Sequence, residues 1–142
     1  MPFIPSYIVS YETGELSRRV AALTGLLKEC VICPWNCRVD RTAGKLGVCR
    51  IGRSAMVASL SPHFFEESPL IGYGGSGTIF LSYCNLKCVF CQNYDISHFG
   101  AGREVSIEEL SKVMVMLQRQ GCHNINFVAP THQTAQIVES LP

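Results

Sequence analysis

The chain has no long hydrophobic run, no block of like charge and a single tryptophan. No stretch approaches the roughly 20 consecutive apolar residues that a membrane-spanning helix needs. The N-terminal stretch MPFIPSYIVSYETGELSRR lacks both the basic start and the continuous apolar core of a secretory signal, so a cytoplasmic protein is expected. Charged residues make up 16% of the chain, the net charge is +1 and there is no Lys/Arg run. Those values leave no electrostatic footprint for nucleic acid or an anionic membrane, and neither is expected as a partner. With 142 residues, 47% of them hydrophobic, the chain can bury one sizeable core.

Against these absences stand eight cysteines. In a reducing compartment, clustered cysteines read as metal or redox chemistry rather than disulfide staples. Four of them, Cys30, Cys33, Cys37 and Cys49, lie in CVICPWNCRVDRTAGKLGVC. Their tight arrangement suits a closed structural zinc site or a second 4Fe-4S cluster, and spacing leaves that choice open. A second cluster could relay electrons, whereas zinc could only hold structure. Three more, Cys84, Cys88 and Cys91, lie in SYCNLKCVFCQN, and Cys122 stands alone.

Apolar spacing outlines the elements. Leu16, Val20, Leu23 and Leu27 recur at helical spacing and predict a packing helix that leads into Cys30. VASLSPHFFEESPL, residues 57–70, predicts a short strand followed by irregular structure, with His63, Glu66 and Glu67 at the surface rather than on a metal. Gly72 to Gly77 is turn-rich and precedes a strand. A phosphate loop follows its strand and opens a helix, so the glycines mark a boundary instead. Thr78–Tyr83 reads as a buried strand, and Ser106 with Glu109 forms a capping box for a helix whose apolar face is Ile107, Leu110, Met114 and Leu117. Gly121 stops it, 125–129 is a second strand, and 133–141 a short helix with Ala135, Val138 and Leu141 on one side. The order strand, loop, helix, strand, helix predicts parallel strands with chemistry at their C-terminal ends. Cys84 and the Pro130-Thr131-His132 turn should therefore share one rim.

A four-iron cluster ordinarily takes four cysteines. Cys122 is a poor fourth, because the helix before it separates it from the loop by roughly 20 Å at 1.5 Å per residue. It reads instead as a packed apolar side chain. Three thiolates leave one iron open, and an open position is the mark of a reactive metal site. The spacing Cys-x3-Cys-x2-Cys with Phe90 in the second gap resembles the signature of the radical S-adenosylmethionine (radical SAM) superfamily. Chance cysteines or zinc could also fit that spacing. The resemblance implies a 4Fe-4S cluster on Cys84, Cys88 and Cys91, whose unique iron chelates the methionine moiety of SAM. It also implies reductive cleavage of SAM to a 5′-deoxyadenosyl radical, with Phe90 near the adenine.

The wording GSGTIFLSYCNLKCVFCQN followed by HNINFVAPTH is similar to the branch of pyruvate formate-lyase activating-enzyme-like proteins, over residues 28–142. That branch implies an oxidoreductase with an electron donor such as flavodoxin or ferredoxin and a protein substrate. Activating enzymes carry a Gly-Gly-Glu-type motif after the second strand to bind the amino group of SAM. Here Ala129, Pro130, Thr131 and His132 take that place. Thr131 and His132 can accept hydrogen bonds from an ammonium, or can simply form a strand-to-helix turn with Thr131 as N-cap.

The expected fold is α/β: the N-terminal portion of a radical SAM partial (β/α) barrel, preceded by a small cysteine-rich segment. Residues 1–75 would hold the N-terminal helix and metal-binding segment, and 76–142 the first two strand-helix units of a truncated core, part of a longer protein. Two other readings use the same residues, a non-catalytic 4Fe-4S electron carrier and a zinc-stapled binding module.

Overall fold

β-Branched and aromatic side chains disfavour the helix and pack well on a pleated surface. The computed structural model, which describes residues 4–141, accordingly forms strands at Ala55–His63 (β1), Ser76–Leu81 (β2), Arg103–Val105 (β3) and Asn124–Val128 (β4). Met1–Phe3 and Pro142, the outer ends of the two expected units, lie outside the described residues. The helices are Ser6–Glu12 (α1), Glu15–Gly25 (α2), Ser68–Ile71 (α3), Tyr94–Ser97 (α4), Ile107–Arg119 (α5) and Thr134–Glu139 (α6). Among the described residues, no helix is long and apolar enough to cross a membrane.

The four strands make one mixed sheet in the order β3-β1-β2-β4. β2 and β4 run parallel, in register from Ser76 opposite Asn124 to Phe80 opposite Val128. This is the parallel pair that the strand-helix-strand order predicts. β1 departs from expectation. It is nine residues long and pairs antiparallel with both β2 and β3. Serines at 59 and 61 and a proline at 62 break its apolar pattern, which is why the sequence reads there as a short strand and irregular structure. Pro62 is tolerated because it lies beyond the residues paired to β3, where β1 has a neighbour on one side only. A register shift between Val57 and Ser59 marks a bulge in the same strand. β1 and β2, on either side of Gly75 in sequence, thus belong to one sheet.

One face of that sheet carries the core. Ala55 and Val57 of β1, Ile79 and Leu81 of β2, Val105 of β3, and Leu110 and Leu117 of α5 are all buried together. Val113, Met114 and Ile137 pack around them, so α5 presents residues 110, 113, 114 and 117 to the sheet, the expected helical stripe. Its capping box is formed in full. The Glu109 amide donates to the Ser106 hydroxyl at 3.1 Å, and the Ser106 amide donates to the Glu109 carboxylate at 3.4 Å. α2 places Leu16, Val20 and Leu23 on its less exposed side, and Leu27, in the 3-10 turn that follows, is completely buried. This helix packs against α6.

In α6 the expected face is partly replaced. Ala135 is buried, but Leu141 is 54% exposed and the inner position is taken by Gln136, which is fully buried. Its side-chain amide donates to the carbonyls of Gly52 at 3.0 Å and Arg53 at 3.3 Å. The helix therefore ties the segment before β1 to the sheet by polar rather than apolar contacts.

Two substitutions separate capping from packing. Ser106→Ala should lower unfolding free energy by about 1 kcal/mol, and Leu110→Ala by about 2–5 kcal/mol because a cavity replaces a fully buried side chain. Urea denaturation checks both; equal effects would contradict this division of roles.

Candidate metal centres and the rim between them

Short-range polar bonds shape the first cysteine segment. The amide of Cys30 donates to the Val39 carbonyl and the amide of Arg38 to the Cys30 carbonyl, each at 3.0 Å, so residues 30 and 39 are drawn together at the base of a loop. Asn36 closes a turn onto the Cys33 carbonyl at 3.0 Å. Asp40 then caps a 3-10 turn, accepting from the Thr42 and Ala43 amides at 2.9 and 3.1 Å. The hydroxyl of Thr42 at its carboxylate is the main reason that Asp40 stays more acidic than usual. Gly47 must be glycine for space. A Cβ there would sit 2.8 Å from Cys37 Sγ.

The turn that Asp40 caps drives Arg41 inward. Its side chain is 1% exposed, which is rare for arginine. Nε donates to the Gly52 carbonyl at 3.1 Å, and Nη1 donates to the His132 carbonyl at 3.1 Å and to Cys30 Sγ at 3.7 Å. Nη2 is buried with no partner among the described residues. Cys30, Cys33, Cys37, Cys49, Arg41 and His132 line one cavity. Cys30 and Cys49 are each 6% exposed, while Cys33 and Cys37 are half-buried. Burial pushes the Cys49 thiol up, and the neighbouring Cys30 and Cys33 add to the rise.

The second cysteine segment leaves the C-terminal end of β2. There the Ser82 carbonyl accepts from His132 Nε2 at 3.1 Å and from Gln133 Nε2 at 3.0 Å. Gln133 also takes both polar groups of Met56, accepting from its amide at 2.8 Å and donating to its carbonyl at 3.2 Å. Cys84 and the 130–132 turn therefore meet at one rim, two residues from the cysteine. His132 is 1% exposed. Desolvation lowers its pKa, and the positive charges of Arg41 and Lys87 lower it further, so the imidazole is neutral at pH 7.

Beyond Ser82 the loop is braced at a few points. The Tyr83 amide donates to the Ile96 carbonyl at 2.8 Å, and the Tyr83 ring sits against Gly100, where a Cβ would come within 2.1 Å of it. The Leu86 amide donates to Cys84 Sγ at 3.4 Å, and Cys91 closes a turn onto the Cys88 carbonyl at 3.1 Å. All three thiols are half-buried. Trp35, from the first segment, donates Nε1 to the Asn85 carbonyl at 2.6 Å. The two cysteine segments are joined there, and again through Arg41, His132 and Ser82.

Six non-glycine residues take left-handed backbone angles: Asn36, Arg38, Arg50, Tyr83, Lys87 and Ala129. Each costs on the order of 1 kcal/mol or more. All six fall in the two cysteine segments, directly after Cys49 or at the end of β4, and backbone held in sparsely populated regions clusters at functional sites. Ala129, directly after β4, has φ +58°.

The remaining expected residues divide. Phe90 is 86% exposed and Thr131 is exposed at the rim. Thr131 makes no N-cap bond; the 3-10 turn 131–133 follows Pro130, and the Thr134 hydroxyl bonds back to Pro130 and Thr131. Cys122 precedes β4 and packs against the core, at the end of the sheet opposite to Cys84, because β2 and β4 are parallel. His63 lies 3.8 Å from Glu66, a local surface pair. Arg41, Gln133 and Gln136 carry the contacts that sequence reading missed. The signal for the glutamines was their spacing of three, Gln133 in the 3-10 turn before α6 and Gln136 on its inner side, and Arg41 gives none.

The donor set suits thiolate-bound metal at both places, since soft sulfur ligands select zinc and iron-sulfur clusters. Among the described residues, no three His, Cys, Asp or Glu side chains already converge as a ligand group. Side-chain rotation within these short segments has to bring the sulfurs together. Trp35→Phe removes the hydrogen bond to Asn85 while keeping an aromatic ring, and should cost about 1 kcal/mol. Amide hydrogen exchange should then quicken in residues 84–91 and stay unchanged in β1 and β2; faster exchange throughout the sheet would contradict a local link.

The chain is 33% identical over 135 residues to uncharacterized protein MJ0674 of Methanocaldococcus jannaschii. The alignment covers 89% of this chain and 38% of that protein, so the chain spans under two fifths of the length of the curated relative it matches. No solved structure matches it. Residues 78–139, from the strand before Cys84 to the helix after His132, match the family model of the Radical SAM superfamily.

Proposed function

We propose that the chain is the N-terminal part of a radical SAM enzyme, with Cys84, Cys88 and Cys91 as ligands of a 4Fe-4S cluster that leaves one iron for SAM. The observation that carries this reading is three half-buried thiols on one loop at the C-terminal end of β2, with the nearest unclustered cysteine, Cys122, at the other end of the sheet. The match over 78–139 supports it. When bound, the cluster and SAM supply reductive cleavage to a 5′-deoxyadenosyl radical that abstracts hydrogen from substrate.

The chain's own residues bind and orient. Gln133 and His132 fix the Ser82 carbonyl and so set where Cys84 leaves the sheet. Phe90, exposed on the loop, offers a flat apolar face to the adenine, and Thr131 offers a hydroxyl to the methionine end of SAM. His132 serves the same site from behind, through the backbone that its buried ring holds. Cys30, Cys33, Cys37 and Cys49 form a second metal site that anchors residues 1–75 to the strand-helix units of 76–142.

In the whole protein, further strand-helix units would continue from β4 into a partial barrel, as the greater length of the relative suggests. An activating-enzyme-like oxidoreductase of the cytoplasm would draw its electron from a flavodoxin or ferredoxin and act on a protein substrate.

Iron, zinc and acid-labile sulfide per chain, after strictly anaerobic purification, test the reading. A Cys84→Ala, Cys88→Ala, Cys91→Ala variant should lose about four irons and the matching sulfide relative to wild type. Equal metal in the two proteins, or zinc without sulfide in both, would replace it by a metal-stapled module. A lost cluster that ignores SAM would leave an electron carrier.

A further inference from the structure

One nitrogen of Arg41 serves both cysteine segments. Nη1 carries two hydrogens, and its acceptors are Cys30 Sγ at 3.7 Å and the His132 carbonyl at 3.1 Å. The first is a sulfur of the N-terminal cavity, the second is backbone of the turn after β4. Nε is held by the Gly52 carbonyl at 3.1 Å. A guanidinium is planar and its donors form a rigid fork, so a change at the sulfur is felt at the carbonyl. His132 passes the constraint on. Its Nε2 lies 3.1 Å from the Ser82 carbonyl, and Cys84 follows two residues later. Arg41 and His132, the two residues of this connection, are each 1% exposed.

The charge of Arg41 makes the connection responsive. Among the described residues it forms no ion pair with a carboxylate, and Nη2 is buried without a partner. A buried charge needs an opposite charge beside it, and neutral thiols offer this one only carbonyl dipoles. Metal binding takes cysteines as thiolates, with their protons released to solvent. Cys30 then presents an anion to Nη1, and a hydrogen bond between charged partners is roughly twice as strong as a neutral one.

We propose that Arg41 is a positioning residue that couples the two cysteine sites. Metal held by Cys30, Cys33, Cys37 and Cys49 locks the guanidinium against the His132 carbonyl and so fixes the rim from which Cys84 leaves the sheet; without that metal the rim is looser. The coupling holds for zinc and for an iron-sulfur cluster alike, because both take sulfur as thiolate. It rests on reading these four cysteines as a metal site and is independent of any cluster on the other three. Trp35 forms a separate link, since its Nε1 bond to the Asn85 carbonyl reaches the loop beyond Cys84, whereas Arg41 acts on the rim before it.

The test uses the full chain carrying Cys84→Ala, Cys88→Ala and Cys91→Ala, so that metal enters only the first site. The protein is stripped by a chelator under anaerobic, reducing conditions and reloaded with cobalt(II), whose thiolate charge-transfer absorption reports binding to sulfur. Hydrogen exchange then follows the amides of Ser82, Tyr83 and Gln133, which donate to the carbonyls of Met56, Ile96 and Pro130. Loading should slow all three about fivefold or more, and should do so equally when Trp35→Phe is added. Arg41→Gln keeps hydrogen-bond donors and loses the charge. Cobalt should bind it about 10–100-fold more weakly, and at saturating cobalt the slowing should disappear while the amides of α5 exchange as in the parent. Rim amides that ignore cobalt, that slow as much in Arg41→Gln, or that lose their response in Trp35→Phe would overturn the coupling and leave the metal site standing. The parent and Trp35→Phe arms decide this even if Arg41→Gln does not fold. Absence of thiolate-bound cobalt in the parent would overturn the metal-site reading itself, and the coupling with it.

Discussion

The carbonyl of Ser82 is the constraint on which the candidate site depends. It is the last fixed point of β2 before the cysteine loop, and it accepts two side-chain donors from the turn after β4. A carbonyl has two lone pairs, and both are directed by this arrangement. Gln133 continues from there to the backbone of Met56 at the start of β1. One side chain thus spans the place where three strands come together. Buried amides of this kind are costly when unpaired and specific when paired, so the geometry of the rim is set by hydrogen bonds rather than by apolar packing.

The same polar logic extends to the N-terminal segment. Arg41 and Gln136 bind carbonyls of residues 52–54 and 132, and Trp35 reaches the loop at Asn85. Residues before β1 are therefore held against the rim on two sides, although none of them belongs to the buried apolar cluster of the sheet and α5. Left-handed backbone at Tyr83 and Lys87 flanks Cys84 and precedes Cys88. Such strain persists only where surrounding contacts over-determine it, and here those contacts are the bonds just named.

Apolar periodicity made α2, α5, β2 and β4 legible, because each buries a stripe or face that repeats at the period of its element. The capping box at Ser106 was legible for a local reason, since its two partners are three residues apart. β1 was legible only as a short strand. Its serines and Pro62 hide its full length and its antiparallel pairing, with neighbours on both sides over part of that length. The shared rim of Cys84 and His132 followed from strand order alone. The buried roles of Arg41, Gln133 and Gln136 did not, because their partners lie roughly 50 to 90 residues away in the chain, beyond any local pattern. The cysteine clusters themselves were plain from spacing, whereas their link through Trp35 required the fold.

The central claim is that Cys84, Cys88 and Cys91 hold a cluster with one iron open to SAM. Electron paramagnetic resonance of the anaerobically reduced protein, recorded before and after addition of SAM, tests it most directly. A signal of a reduced 4Fe-4S cluster that changes in shape and position on adding SAM is the predicted result. A cluster signal that SAM leaves unaltered would contradict the open-iron account.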